Sequence, residues 1–329
     1  MTGRVEAVLP YWLDRPDEEA LDIAQAAQQA GLDTLWIGEL ATFDAVALAT
    51  AVGHRAPGLR LKIGPLAIGV RSPVAVALAV SSVATLTSSH VDVALGASSP
   101  AIVSGWHDRE WAHSATRMEE TITSLRAILA GERSNHDGRH VRTHGFRLRR
   151  PQPGARIIAA AFGPAMTRTA ARHADEVVLN LVPPEHVGAV RATIDAEAHA
   201  AGRTPPQLAV WVAAALDPGE AARTQLADQV AIYLAPPGYG EMFARLGFED
   251  LVRRARAGAP RAELASGITT DLLERICALG TAATLTARIE DYFDSGADVV
   301  GVVPSTAEDP AGRAVLSAVA ATSWSRSRL

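Results

Sequence analysis

The residues of this chain best suited to chemistry sit where short apolar runs end. In IIAAAFGPAM, residues 157–166, an apolar run stops at Phe162-Gly163 and Pro164 opens a helix-compatible stretch. A helix begun there leaves its first N–H groups free, and these bind phosphate or carboxylate with help from the helix dipole. The same Gly-Pro pair is also an ordinary helix start, so the plain structural reading stands beside it. Gly96-Ala97-Ser98-Ser99 closes another apolar run with small and hydroxyl residues, which let backbone approach a flat or phosphorylated ligand closely. Further along, Trp106-His107 sets an aromatic ring beside a titratable one, a pair able to stack on a ligand and move a proton. Glu39 and Asp44, Asp14, Gly69-Val70-Arg71, Asn180, Asp217 and Ser305-Thr306 follow the remaining runs.

Other chemistries are missing from the sequence. There is no H-E-x-x-H, no G-x-S-x-G and no P-loop. His136, His140 and His144 recur every four residues, but Gly138 and Gly145 oppose a helix that would align them, and no carboxylate cluster completes a zinc site. No metal is expected. Arg133, Arg139, Arg142, Arg147, Arg149 and Arg150 in the same stretch read as a solvated face, or as a grip on an anion. Cys277 lies between Ile276 and Leu279 on an amphipathic stretch and reads as core, not nucleophile.

Strands and helices must alternate to carry these residues. The pattern predicts strands at 5–9, 34–37, 61–68, 91–95, 156–160, 176–180, 209–215 and 298–303. Helices are predicted at about 17–30, from 44 to before Pro57, and at 73–86, 116–130, 164–174, 184–201, 220–234, 283–295 and 311–321. Two stretches break the rhythm. Residues 131–150 read as a polar hairpin or long loop, and residues 235–280 as Pro/Gly-rich sequence with short helical pieces. Eight strand–helix units make an α/β protein, a (β/α)8 TIM barrel over 1–329 with insertions after strands 4 and 7. An open doubly wound sheet is the rival, but G-x-G-x-x-G does not follow the first strand. In a barrel, chemistry lies at the C-terminal strand ends, where the residues above fall.

Composition fits this picture. The 329 residues are 48% hydrophobic and 20% charged, enough for a large core, and the net charge of −5 sets up no field for nucleic acid or anionic lipid. A small-molecule substrate is the expected partner. One cysteine excludes a disulfide framework and suits a reducing cytoplasm. The charged N-terminus does not resemble a signal peptide, and no apolar run approaches the ~20 residues of a bilayer span.

Taken in order, several motifs make the sequence similar to the luciferase-like monooxygenase superfamily, in its actinobacterial branch of coenzyme F420-dependent oxidoreductases. They are AQQAGLDTLWIGEL at 27–40, KIGPLAIGVRSPVAVAL, VDVALGASSPAIVSGWHDREWA and AAFGPAMTRTAARHADEVVLNLVPPEHV. The resemblance implies a homodimeric barrel holding F420, or alternatively FMN, and moving a hydride to or from a small organic substrate. A flavin monooxygenase and a non-catalytic flavin-binding barrel are the other readings. By position, the resemblance puts a non-proline cis peptide near Leu66-Ala67 behind the ring and sets Ala97, Ser98 and Ser99 on the cofactor tail. It sets Phe162, Gly163, Pro164 and Met166 at the phosphate, and Asn180 and Glu39 near the ring. Glu39 and His107 are the expected proton carriers. Leu40 departs from the family's sugar-phosphate dehydrogenases, which have a histidine there as proton acceptor.

Overall fold

The computed structural model describes residues 3–39, 41–322 and 324. The alternation read from sequence is present: β1 (Arg4–Val8), α1 (Glu19–Ala30), β2 (Thr34–Ile37), α2 (Ala45–Arg55), β3 (Arg60–Ala67), α3 (Pro73–Thr87), β4 (Val91–Gly96) and α4 (Ser114–Leu129). These are followed by β5 (Ile157–Ala160), α5 (Pro164–His173), β6 (Glu176–Asn180), α6 (Pro184–Ala200), β7 (Gln207–Leu216), α7 (Glu220–Tyr233), α8 (Ala282–Asp294), β8 (Val299–Pro304) and α9 (Arg313–Ala320). The strands hydrogen-bond in the order β7-β8-β1-β2-β3-β4-β5-β6, and β6 pairs with β7. This is the (β/α)8 TIM barrel.

Short β-branched runs became strands because they are apolar on both faces, as the fully buried β2 and β4 show. Helices start where side chains cap them. Asp44 accepts from the N–H groups of Val46 and Ala47, both at 3.0 Å, and Ser72 from Ala75 at 3.2 Å with Pro73 behind it.

Contacts divide the chain into two compact units. One comprises Asp33–Val178 and Val190–Leu208. Its core includes a buried ion pair, Lys62 Nζ to Glu176 Oε1 at 2.8 Å, with Arg156 3.2 Å from the same carboxylate and Lys62 lying over the Trp36 ring. Residues 131–150 form the expected hairpin, Asn135–Asp137 against Arg142–His144. Its loop is fastened to α4 by Glu120, whose carboxylate accepts from the N–H groups of Arg139, His140 and Val141. Arg133 and Arg147 donate to the hairpin's own carbonyls at Gly145 and Gly131, so these two cations brace the excursion.

The other unit comprises Met1–Leu32, Leu179–Ala189 and Ala209–Leu329. Residues 235–280 fold there into short helices, as expected. They also supply a strand the sequence reading lacked, Ala278–Gly280, which pairs parallel with the end of β7. Three residues are too few to show a period of two. Cys277 precedes it, buried, and burial pushes its thiol up to about 12, consistent with an inert core position.

One expectation fails. The cis bond lies at Gly64-Pro65 and is prolyl, not at Leu66-Ala67. Proline's tertiary amide removes most of the preference for trans, so the X-Pro bond of this strand is where cis is cheapest. The register of β3 on β4 shifts between Ile63 and Leu66, after which Leu66 and Ala67 pair regularly with Leu95 and Gly96. Gly64 has φ +116° and packs so closely that a Cβ would stand 2.2 Å from the Ala94 carbonyl oxygen, so the bulge requires glycine.

Candidate functional site

In the unit containing β2 to β5, the C-terminal strand ends form a rim built largely by backbone. The Ala67 carbonyl ends β3 by accepting from the N–H groups of both Val70 and Arg71 at 3.0 Å. That turn delivers Arg71 to the carboxylates beyond β2. Its Nη2 donates to Glu39 and, at 2.6 Å, to Asp44, while its Nε reaches Glu39 at 3.3 Å. Hydrogen bonding to Glu39 raises the guanidinium's pKa. Burial pushes the Asp44 carboxyl up, but the Arg71 contact and the capped N–H groups outweigh it and leave it below its ordinary value. Glu39 is therefore committed to Arg71. Leu40 lies outside the described residues.

After β4 the chain turns through Ser98 at φ +58°. The Ser99 carbonyl accepts from Val103 at 2.9 Å, starting a π-helical turn, Ala101–Trp106. Trp111 reaches back to donate from its indole to the Ala97 carbonyl at 3.0 Å, fixing the Ala97–Ser99 loop from the far side of the turn. His107 follows the π-turn on an exposed stretch, and Trp106 is 58% exposed. Beyond β5, Gly163 adopts φ +77° and its carbonyl accepts from both the N–H and the hydroxyl of Thr167. Pro164 opens α5, Met166 is buried beneath it and Phe162 is half-buried. The first-turn N–H groups have no intrahelical acceptor, and the space a Gly163 Cβ would enter is open. A helix start of this kind can accept a phosphate or carboxylate.

The other unit presents a second rim. Asn180, the last residue of β6, hydrogen-bonds with Tyr233 and Tyr239, whose rings stand 4.8 Å apart. Burial raises both phenols, so they stay protonated. At the end of β1, Gln225 of α7 donates to Asp14 at 3.0 and 3.1 Å. The Gln225 carbonyl accepts from the Ser305 hydroxyl at 2.7 Å, the Thr306 N–H at 2.9 Å and the Ala307 N–H at 3.3 Å. Trp12 pins the same loop to the Pro304 carbonyl at 2.9 Å.

The structure thus gives Ala97–Ser99, Phe162–Met166, Glu39 and Asn180 each a place at a strand end, with His107 on exposed chain. Sequence reading named Arg71 and Asp14 only as rim residues and missed Gln225, Tyr233 and Tyr239. A side chain in mid-helix or in an insertion has no positional signal until the topology brings it to a strand end.

Among the described residues no three His, Cys, Asp or Glu side chains gather as a metal site would require. Residues 12–299 match the family model of the luciferase-like monooxygenases. The chain is 25% identical over 309 residues to a 5,10-methylenetetrahydromethanopterin reductase of Methanolobus tindarius, covering 90% of this chain and 93% of that one. Its fold is similar to that of the coenzyme F420-dependent tetrahydromethanopterin reductase of Methanopyrus kandleri, with TM-score 0.82, 18% identity and 97% of each chain covered. It is also similar to the FMN-bound oxygenating constituent of 3,6-diketocamphane monooxygenase of Pseudomonas putida, with TM-score 0.70, 16% identity and 98% of each chain covered.

Proposed function

As this chain belongs to the luciferase-like monooxygenase family, we propose that it is a coenzyme F420-dependent oxidoreductase acting on a small organic substrate. The observation that carries the reading is the open cradle at Gly163 and the α5 N-terminus, whose positive φ, unfilled Cβ position and free first-turn N–H groups fit a phosphate-bearing cofactor tail. When bound, the deazaflavin supplies the hydride chemistry. The chain supplies position. Phe162, Gly163, Pro164 and Met166 hold the phosphate end, and the Ala97-Ser98-Ser99 loop, braced by Trp111, lies along the tail. The β3 bulge with Leu66 and Ala67 backs the ring, with Glu39 near it. His107 reaches the ligand only if its exposed stretch folds inward on binding.

A second reading has its own support in the FMN-bound structural neighbour: both cofactors offer a phosphorylated ribityl tail to this cradle. Titrating the purified protein with F420 and, separately, FMN while following cofactor fluorescence separates the two. Saturable F420 quenching with weaker FMN binding supports the proposal. Tight FMN binding without F420 binding replaces it with the monooxygenase, and binding of neither leaves a non-catalytic barrel.

Dimerisation belongs to the same proposal. Helix α3 has no charged residue along its 15 positions, yet Leu78 and Leu86 are 47% and 61% exposed, a surface suited to a second copy. Light scattering on the titration sample reads the mass. Among the described residues no helix is long and apolar enough to cross a membrane, and the cytoplasm is the compartment proposed.

A further inference from the structure

Many (β/α)8 barrels bind phosphate with the loops after strands 7 and 8 and the N–H groups of a helix start beside them. In this chain the same parts are present, and its own side chains occupy them. The start of α7 has no cap of its own, because its N-cap residue is Gly219. Glu308, 89 positions further on, takes that place: its Oε2 accepts from the Gly219 N–H at 2.7 Å and its Oε1 from the Ala221 N–H at 3.2 Å. The fit is so close that a Cβ on Gly219 would stand 2.5 Å from Glu308 Oε1. Glycine is required there for the carboxylate to lie where it does.

The next residue serves a different helix. Asp309 accepts from the N–H groups of Ala314 and Val315, both at 3.0 Å, although the N-cap of α9 is Gly312. Neither acid is the local cap that a sequence ordinarily writes into a helix start. The loop between β8 and α9 is closed as well. The Thr306 and Ala307 N–H groups donate to the Gln225 carbonyl at 2.9 and 3.3 Å, and the Ala311 N–H donates to Glu19 at 3.0 Å. Three of the four accepting side chains are carboxylates, so the place is filled by groups with the sign of a phosphate oxygen. A phosphate arriving there must displace Glu308 and Asp309 or lie beside their charges. The start of α5, in the other unit, is built the opposite way: no side chain caps it, and nothing lies within 4 Å of the Cβ position of Gly163.

We propose that Glu308 and Asp309 are specificity-determining residues that bar phosphate from the β7 and β8 ends, and that the substrate of this enzyme carries no phosphate group. The statement about substrate rests on the F420-dependent reading above; the statement about the two acids does not. Glu308 is the more telling of the pair, because it is exposed and its removal uncovers the start of a 14-residue helix without touching that helix's sequence.

The test uses the full chain without cofactor, labelled with 15N at glycine and alanine. Inorganic phosphate is titrated in, and binding is read at the Gly219 and Ala221 amides for α7 and at Ala314 for α9. In the wild type these amides should show no saturable shift. In Glu308→Ala the Gly219 and Ala221 amides should report phosphate with a Kd about tenfold or more below any wild-type value. Should Glu308→Ala fail to fold, Glu308→Gln keeps an acceptor for Gly219 and removes the charge, and a smaller gain in the same direction is expected. Saturable phosphate binding at these amides in the wild type overturns the proposal, and so does a folded variant that gains none. The substrate class is read separately. With F420 bound, cofactor turnover is followed on organic substrates paired with their phosphate monoesters, and the wild type should favour the unphosphorylated member about tenfold or more in kcat/KM. Preference for a monoester overturns the proposal and leaves the F420 reading intact. Absence of F420 binding removes the oxidoreductase reading, while the amide titration still decides whether Glu308 bars phosphate.

Discussion

Glu39 beyond β2 and Asp14 beyond β1 are both strand-end carboxylates, and the chain treats them in opposite ways. A guanidinium takes Glu39 and also reaches the helix-capping Asp44, giving a compact cluster of two negative charges and one positive. A buried amide takes Asp14, adding direction without charge. Charge-assisted, forked contacts are the strong ones and suit holding loops together. A single neutral donor costs the carboxylate little of its capacity to accept. What separates a structural acid from an available one here is the partner's charge, not the acid's own position.

The sharpest way to break the comparison is to remove the two partners in turn. Gln225→Leu keeps the volume near that of the amide but leaves the Ser305 hydroxyl and Thr306 N–H without their acceptor. Unsatisfied buried groups cost about 1–3 kcal/mol each, so a loss of about 3 kcal/mol in urea unfolding is expected. That loss should be nearly insensitive to salt, because no pair of opposite charges is broken: the amide is neutral, and Asp14 is its one charged partner. Arg71→Ala should cost less, about 1–2 kcal/mol, since the guanidinium is 23% exposed and Asp44 50% exposed. It should also shrink visibly at 1 M salt, where the Debye length is about 3 Å. Equal salt sensitivity in the two variants would mean that the partners do not differ as described.

How much of this was legible beforehand follows from the same physics. The helix starts at Asp44-Ala45 and Ser72-Pro73, and strands such as Thr34–Ile37, are local features written in neighbouring residues, and the structure has them where they were read. The turn at Phe162-Gly163-Pro164 and the helix start after it were legible for that reason, since one glycine and one proline fix the backbone there. The cis bond is not at Leu66-Ala67, where the resemblance puts a non-proline one, but two residues earlier at Gly64-Pro65, where the tertiary amide lowers the cost of cis. The partners of the carboxylates were not legible. Arg71 lies 32 positions from Glu39, and Gln225 lies 211 from Asp14, so only the pairing order of the strands brings either pair together.

Glu19 sharpens the comparison within one unit, because it stands five residues from Asp14 and is bound as Glu39 is, by an arginine. Burial pushes its carboxyl up, but hydrogen bonds from Arg15, the Ala311 N–H and the Thr306 hydroxyl outweigh this, and its pKa falls below the ordinary value. A carboxyl whose folded pKa is depressed adds stability that is present above its unfolded pKa and disappears as pH falls through the folded one. Glu19→Gln should therefore leave stability close to wild type in strong acid. It should reduce stability modestly at pH 7 and flatten the acid limb of unfolding free energy against pH. The effect should be the smallest of the three, because the amide oxygen keeps the acceptor for the Ala311 N–H, the Thr306 hydroxyl can turn to accept from the amide NH2, and what is lost is the charge and one of the two oxygens facing Arg15. A variant that shifts the whole curve down by a constant amount at every pH would show that Glu19 contributes packing rather than charge. The arginine-held acid would then resemble amide-held Asp14 more than Glu39.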